Sequence, residues 1–219
     1  MKKLVMTVAV LAVAGIVSAQ VYSSNIVGYA KKSLGAGSFQ IVSPQFLASG
    51  GGSMTLGEAF AGASDQSVVF AWTGSGYTTY TYFAGYAWYD GSFNVADGVV
   101  IDAGAAVWLK GGSSAATPIM AGEVSGSASV DVSISAGFNL IANPYPVALA
   151  LGDIDQSGLT DQDVIFAWNG SGYTTYTYFA GYAWYDGSFN VADGVEIAVG
   201  DGFWLKAGTA GTLTFNKNF

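Results

Sequence analysis

Neither histidine nor cysteine occurs anywhere in the 219 residues, which excludes a Ser-His-Asp triad, a Cys-His pair and ordinary zinc sites and leaves carboxylates as the catalytic candidates. Asp90 and Asp97, repeated as Asp186 and Asp193, are of the type that forms the carboxylate pair of a glycosidase. Each precedes a glycine, and Asp-Gly is first a turn signal, so these residues read as structural and the chain as non-enzymatic. A second acidic run, Asp153-Ile154-Asp155-Gln156-Ser157-Gly158 and on to Asp161, spaces oxygen donors like the front half of a calcium loop. Asp153, Asp155 and Asp161 are its candidate ligands, but Val164 stands at the twelfth position, where a bidentate glutamate belongs. The expectation is therefore no cofactor, with calcium as the one candidate ion and a solvated acidic connection as the alternative.

Aromatic side chains are the other residues able to do chemistry, by stacking on sugar rings or on a second copy of the same surface. In Tyr80-Thr81-Tyr82-Phe83-Ala84-Gly85-Tyr86-Ala87-Trp88, a strand running unbroken would place Tyr80, Tyr82, Tyr86 and Trp88 on one face. Tyr176, Tyr178, Tyr182 and Trp184 repeat the row. Both rows read as an assembly or sugar-binding face, whereas Trp72, Trp108, Trp168 and Trp204, each set in an apolar strand, read as core.

The elements that must carry these residues come in two copies. Gly74 to Val99 recurs unchanged at Gly170 to Val195, and Ser64–Lys110 matches Thr160–Lys206 with ten differences in 47 positions. A block repeated this closely argues for a duplicated structural module. Within it, short runs rich in Val, Ile, Tyr, Phe, Thr and Trp alternate with glycine-bearing turns, without sustained helical periodicity. The second copy predicts strands over 164–168, 173–179, 182–185, 195–199, 202–206 and 212–215. One helix-compatible piece, Thr55 to Phe60, has threonine and glutamate at capping-box spacing, with 148–154 as its counterpart. The fold class is thus all-β: two tandem β-meander or sandwich-like repeats of about 97 residues, over 20–121 and 122–219.

Residues 1–19 read as a secretory signal peptide, because Lys2 and Lys3 precede an apolar run ending in Val17-Ser18-Ala19. That run is shorter than the roughly 20 residues a membrane-crossing helix needs, and no transmembrane helix is expected elsewhere. Charged residues make up 10% of the chain, and the segment after residue 19 has five lysines against fifteen carboxylates, a net charge of −10. This balance excludes electrostatic binding to nucleic acid or acidic lipid, and a surface so poor in charge favours self-association.

The order FNLIANPYP, then WNGSGY with further tyrosines and tryptophan, then GDGFWLK and a closing TLTF resembles a poorly characterised group of secreted β-proteins of the Planctomycetes and Verrucomicrobia grouping, often built from two such units behind a signal peptide. The resemblance implies location at the cell surface and no reaction. Val107 stands where the second copy has Phe203, and Ala105-Ala106 where it has Asp201-Gly202, so a site needing GDGF twice is not expected. Together these features read as a secreted, non-enzymatic structural protein of the cell surface or extracellular matrix that assembles with itself into a filament or layer. In that reading the segment holding Val21, Ile26, Val27 and Tyr29 is a strand for donation to a neighbouring subunit. The alternatives are a bivalent carbohydrate-binding module that takes a polysaccharide on the duplicated aromatic rows, and a small outer-membrane barrel.

Overall fold

The structure, a computed structural model, describes residues 26–219. The signal peptide expected over 1–19, and Val21, lie outside the described residues. The first half of the chain comprises β1 (Val27–Lys31), β2 (Phe39–Val42), β3 (Met54–Thr55), a single helical turn α1 (Leu56–Ala59), β4 (Val68–Trp72), β5 (Tyr77–Tyr82), β6 (Trp88–Asp90), β7 (Val100–Ile101), β8 (Val107–Lys110) and β9 (Ile119–Glu123). The second half runs through the same series as β10 (Ser129–Ile134), β11 (Gly137–Ala142), β12 (Leu149–Ala150), two 3-10 turns at Leu151–Asp153 and Gln156–Gly158, β13 (Val164–Trp168), β14 (Tyr173–Tyr178), β15 (Trp184–Asp186), β16 (Glu196–Ile197), β17 (Gly202–Ala207) and β18 (Gly211–Asn216).

The fold is all-β and built on two antiparallel five-stranded sheets with matching order, β2-β8-β4-β5-β6 and β11-β17-β13-β14-β15. Two-stranded ribbons accompany each sheet: β1–β9 and β3–β7 in the first half, β10–β18 and β12–β16 in the second. The chain passes between the halves at 124–128, two residues beyond the 121/122 boundary expected from sequence, because β9 continues to Glu123. At the one helical turn, the Glu58 carboxylate reaches back to accept the Thr55 N–H at 2.9 Å, the reciprocal bond of the expected capping box.

Strand alternation decides which side chains enter which core. In β4, Val69 and Ala71 face inward while Phe70 and Trp72 lie on the opposite face, and β8 likewise sends Val107 and Leu109 inward and Trp108 outward. The inner face of the first sheet packs on Met54, Leu56, Phe60 and Ile101, and the second sheet has an equivalent core around Leu151, Ile154, Ile165, Trp184 and Phe203. A third, smaller cluster comprises Ile41, Ala106, Leu140, Ala142 and Trp204, drawn from both halves.

One expectation fails here for a simple reason. β1 is not free for donation, because it pairs with β9 of its own chain, Val27 opposite Glu123 and Tyr29 opposite Ala121, and the Ile26 carbonyl accepts the Val124 N–H at 2.7 Å. An alternating strand finds the nearest open ladder in its own half, and the exposed side chains of Val27 and Tyr29 simply point away from it. The barrel expectation also goes unmet among the described residues: the sheets are open, and their strands reach at most six residues against the roughly 9–11 of a membrane-crossing strand. No helix among the described residues is long and apolar enough to cross a membrane.

Candidate functional site

Each aromatic row expected to form an exposed face keeps three members on one face, but that face is the inner one, and Tyr86 and Tyr182 leave it. Phe83 to Ala87 is a tight turn, closed by Phe83 N–H to Ala87 O at 3.0 Å, with Gly85 at φ 79°. The chain therefore reverses, and Tyr82 becomes the cross-strand partner of Trp88 on the inner face. Trp88 and its copy Trp184 are buried at 1% and 0% exposure, Tyr178 is buried, and Tyr80, Tyr82 and Tyr176 pack against their half's core. Of the eight residues, only Tyr86 and Tyr182, at the turn tips, stay fully exposed.

A different aromatic surface forms around each tip. Phe83 lies 5.7 Å from Tyr89 and 6.2 Å from Phe93, and Phe179 is placed likewise at 5.5 Å from Tyr185 and 6.0 Å from Phe189. In the first half Phe83, Tyr89 and Phe93, with Tyr86 and Asp65, line an open hollow of about 680 Å³. Phe93 and Phe189 are 75% and 76% exposed and sit at φ 60° and 59°, a left-handed conformation costly for a bulky residue. A carboxylate holds each in place. Asp90 Oδ1 accepts the N–H groups of Ser92 and Asn94, both at 2.8 Å, and Asp90 Oδ2 accepts Asn94 Nδ2 at 3.0 Å. Asp186 cages Ser188 and Asn190 in the same way. These bonds hold both carboxyl groups below the usual carboxylate range, chiefly through the asparagine. Asp97 and Asp193 accept the N–H of Trp88 and Trp184, each at 2.8 Å, so all four duplicated carboxylates brace turns.

The second aromatic surface lies where the halves meet. Trp72 packs edge-to-face on Trp204 at 5.1 Å, and Trp168 on Trp108 at the same distance. Trp72 Nε1 donates to Phe138 O at 3.0 Å, and Trp168 Nε1 to Phe39 O at 2.9 Å. Backbone contacts follow the same reciprocity: bridges join Val42 with Asp201 and Ala105 with Ile141, while Ser43 N–H donates to Gly200 O and Ala142 N–H to Gly104 O. Exchanging the halves reproduces the contact set, so they are related by a local twofold axis. The four tryptophans expected in the core thus sit on the opposite face of each sheet, forming the junction. Gln45 threads it, donating to Asn143 O and accepting from Gly200 N–H, and Lys32 pairs with Asp201 at 2.6 Å.

Outside that closed part the aromatic faces diverge into a trough of about 480 Å³ lined by Phe39, Phe70, Tyr77, Trp108, Trp168 and Tyr173. Tyr77 and Tyr173 are about half exposed, yet desolvation raises both phenols above the ordinary tyrosine value, with a further rise in Tyr77 from the nearby Tyr173 and a smaller opposing effect from the Trp108 indole. The sequence carried one sign of this surface: Phe70, Trp72 and Trp108 have the opposite parity to the inward residues of their strands.

The calcium candidates are not brought together. Asp155 Oδ1 accepts Ser157 N–H at 2.9 Å as the cap of a 3-10 turn, and Asp161 Oδ1 accepts Ala180 N–H at 3.0 Å on the β14–β15 turn, while Asp153 lies exposed at the end of the preceding turn. Among the described residues no cluster of three or more Asp, Glu, His or Cys side chains is placed to hold a metal ion.

Comparison of the chain with protein-family models, with curated proteins and with solved structures finds no match.

Proposed function

We propose that the protein is a secreted, non-enzymatic structural protein of the cell surface or extracellular matrix, and that it polymerises through the two exposed aromatic clusters around Phe93 and Phe189. The observation that carries this reading is that a bulky ring is held outward twice, in a costly backbone conformation, by a carboxylate cage of identical composition. Strain kept at an exposed apolar residue is the mark of a contact surface. Strand-edge pairing at β6 is less suited to the role, since the 91–97 loop folds back on that edge through a Tyr89–Val95 bridge and an Ala96 N–H to Trp88 O bond of 2.7 Å. Each cluster lies by the edge strand farthest in sheet order from the junction. Two like surfaces per molecule that pair with one another give open-ended growth, whereas one surface would close at a dimer. Secretion rests on the signal sequence read over 1–19.

Valence supplies the test. In sedimentation velocity over a concentration series, the chain polymerises; the Y86A/F93A and Y182A/F189A variants each stop at dimers, and the variant combining all four changes is monomeric. A wild-type chain that stays monomeric, or a fourfold variant that still polymerises, refutes the proposal.

A further inference from the structure

We propose that the trough at the junction of the two halves is a binding site for an uncharged glycan, a ribbon of linked pyranose rings lying across the local twofold axis. Its volume of about 480 Å³ falls within the roughly 300–1,000 Å³ usual for ligand sites. All six lining side chains are aromatic and none is ionised near neutral pH. A ligand held here needs flat apolar faces to lie on the rings. It also needs a hydroxyl edge, because the half-exposed phenols of Tyr77 and Tyr173 would lose water without replacement under an alkyl chain. Pyranose rings present both.

Charge narrows the class. The raised phenol values keep Tyr77 and Tyr173 protonated, so each offers a neutral O–H donor. The chain as a whole carries a net charge of −8, which disfavours an anionic glycan such as a polyuronate. Symmetry extends the surface in both directions: Tyr77 touches Phe70 at 6.1 Å in its own half and Trp204 at 6.5 Å in the other, and Tyr173 touches Phe166 at 6.1 Å and Trp108 at 6.4 Å. A linear ligand crossing the axis meets equivalent rings on both sides. The surface is also preorganised. The indoles of Trp72 and Trp168 are tied to backbone carbonyls of the opposite half, so ring orientations are fixed before a ligand arrives.

Cellohexaose is the probe. Four of the six tryptophans stand at the junction, so titration changes tryptophan emission saturably, and calorimetry gives the same affinity. Y77F/Y173F keeps the rings and removes only the hydroxyls, and it binds cellohexaose at least about tenfold more weakly with an unchanged near-ultraviolet dichroism spectrum. Y77A/Y173A abolishes binding, and F93A/F189A, altered at the outer aromatic clusters, binds as wild type. The proposal is overturned if millimolar cellohexaose gives no saturable response, if Y77F/Y173F binds as tightly as wild type, or if hexagalacturonate or a decyl chain binds the trough more tightly than cellohexaose.

Discussion

Replacing Gly202 by alanine tests the junction most directly. A Cβ there would lie 2.4 Å from the Cβ of Ala106 and 2.7 Å from Ile41 Cγ2, both across the seam between the halves, and 3.1 Å from Ile141 O on the neighbouring strand of its own sheet. Carbon atoms pack best at about 3.5–4.0 Å, so the strands must part by roughly 1 Å or more. Overpacking of this kind costs about 1–3 kcal/mol. At about 2–4 °C per kcal/mol for a chain of this size, Tm falls by roughly 2–12 °C. A106G alone is also destabilising, by about 1–2 kcal/mol, since a buried methyl is lost and a glycine enters a β-rich environment. The double variant G202A/A106G moves the methyl from one side of the seam to the other and removes the tightest collision, that with Ala106, leaving the closer approach to Ile41 Cγ2, so it is less destabilised than the sum of the two single changes. Urea denaturation of the four proteins closes the cycle, and the coupling energy is expected to be at least about 1–2 kcal/mol in favour of the double variant. If G202A is neutral, or the two effects simply add, the halves do not meet as described.

Two further outcomes follow from the titrating groups. Asp90 and Asp186 are lowered in the folded chain, so their bracing of the Phe93 and Phe189 loops is complete above the ordinary carboxylate value of about 3.9 and is lost as pH falls through the lower folded value. The amide resonances of Ser92, Asn94, Ser188 and Asn190 should accordingly titrate with midpoints below about 3.9, and midpoints at or above that value would mean the cages are not formed. Tyr77 and Tyr173 are raised, so the stability linked to their protonated form is intact below about 10 and is lost as pH climbs through the folded value. In ultraviolet phenolate titration the late-ionising fraction, to which buried Tyr145 also contributes, should shrink by two tyrosines in Y77F/Y173F; if it does not shrink, the trough does not desolvate these phenols.

Much of the architecture was legible in the residues. The strand expected over 164–168 is β13 without adjustment, and those over 202–206 and 212–215 differ from β17 and β18 by a residue or two at their ends. Asp-Gly as a turn element also holds at all four positions. The row Tyr80, Tyr82, Tyr86 and Trp88 misled in two ways: the Ala84-Gly85 turn carries Tyr86 out to its tip, and the face that Tyr80, Tyr82 and Trp88 do share is the one turned to the core, which alternation alone does not reveal. The junction was hidden for another reason. Strands such as VVFAW are apolar on both faces, and alternation separates the faces without saying which meets its own core and which meets the other half. The outer clusters depend on Phe93 and Phe189 at positive φ, a conformation nothing in the residue itself announces.

The contact between Ala106 and Gly202 also bears on how such a chain can arise. A homodimer of single units related by a twofold axis must present the same residue from both sides, so a seam this narrow would force glycine on both or a collision between two methyls. Once the units share one polypeptide, the two sides can diverge independently, and here one keeps its methyl while the other gives it up. A single polypeptide is thus free of a constraint that twofold symmetry imposes on a homodimer of identical units. The ten differences between otherwise matching halves include neighbouring changes, alanine to aspartate at 105/201 and valine to phenylalanine at 107/203, that sit on the same strip of backbone. That strip is where a duplicated gene could begin to tell its two copies apart.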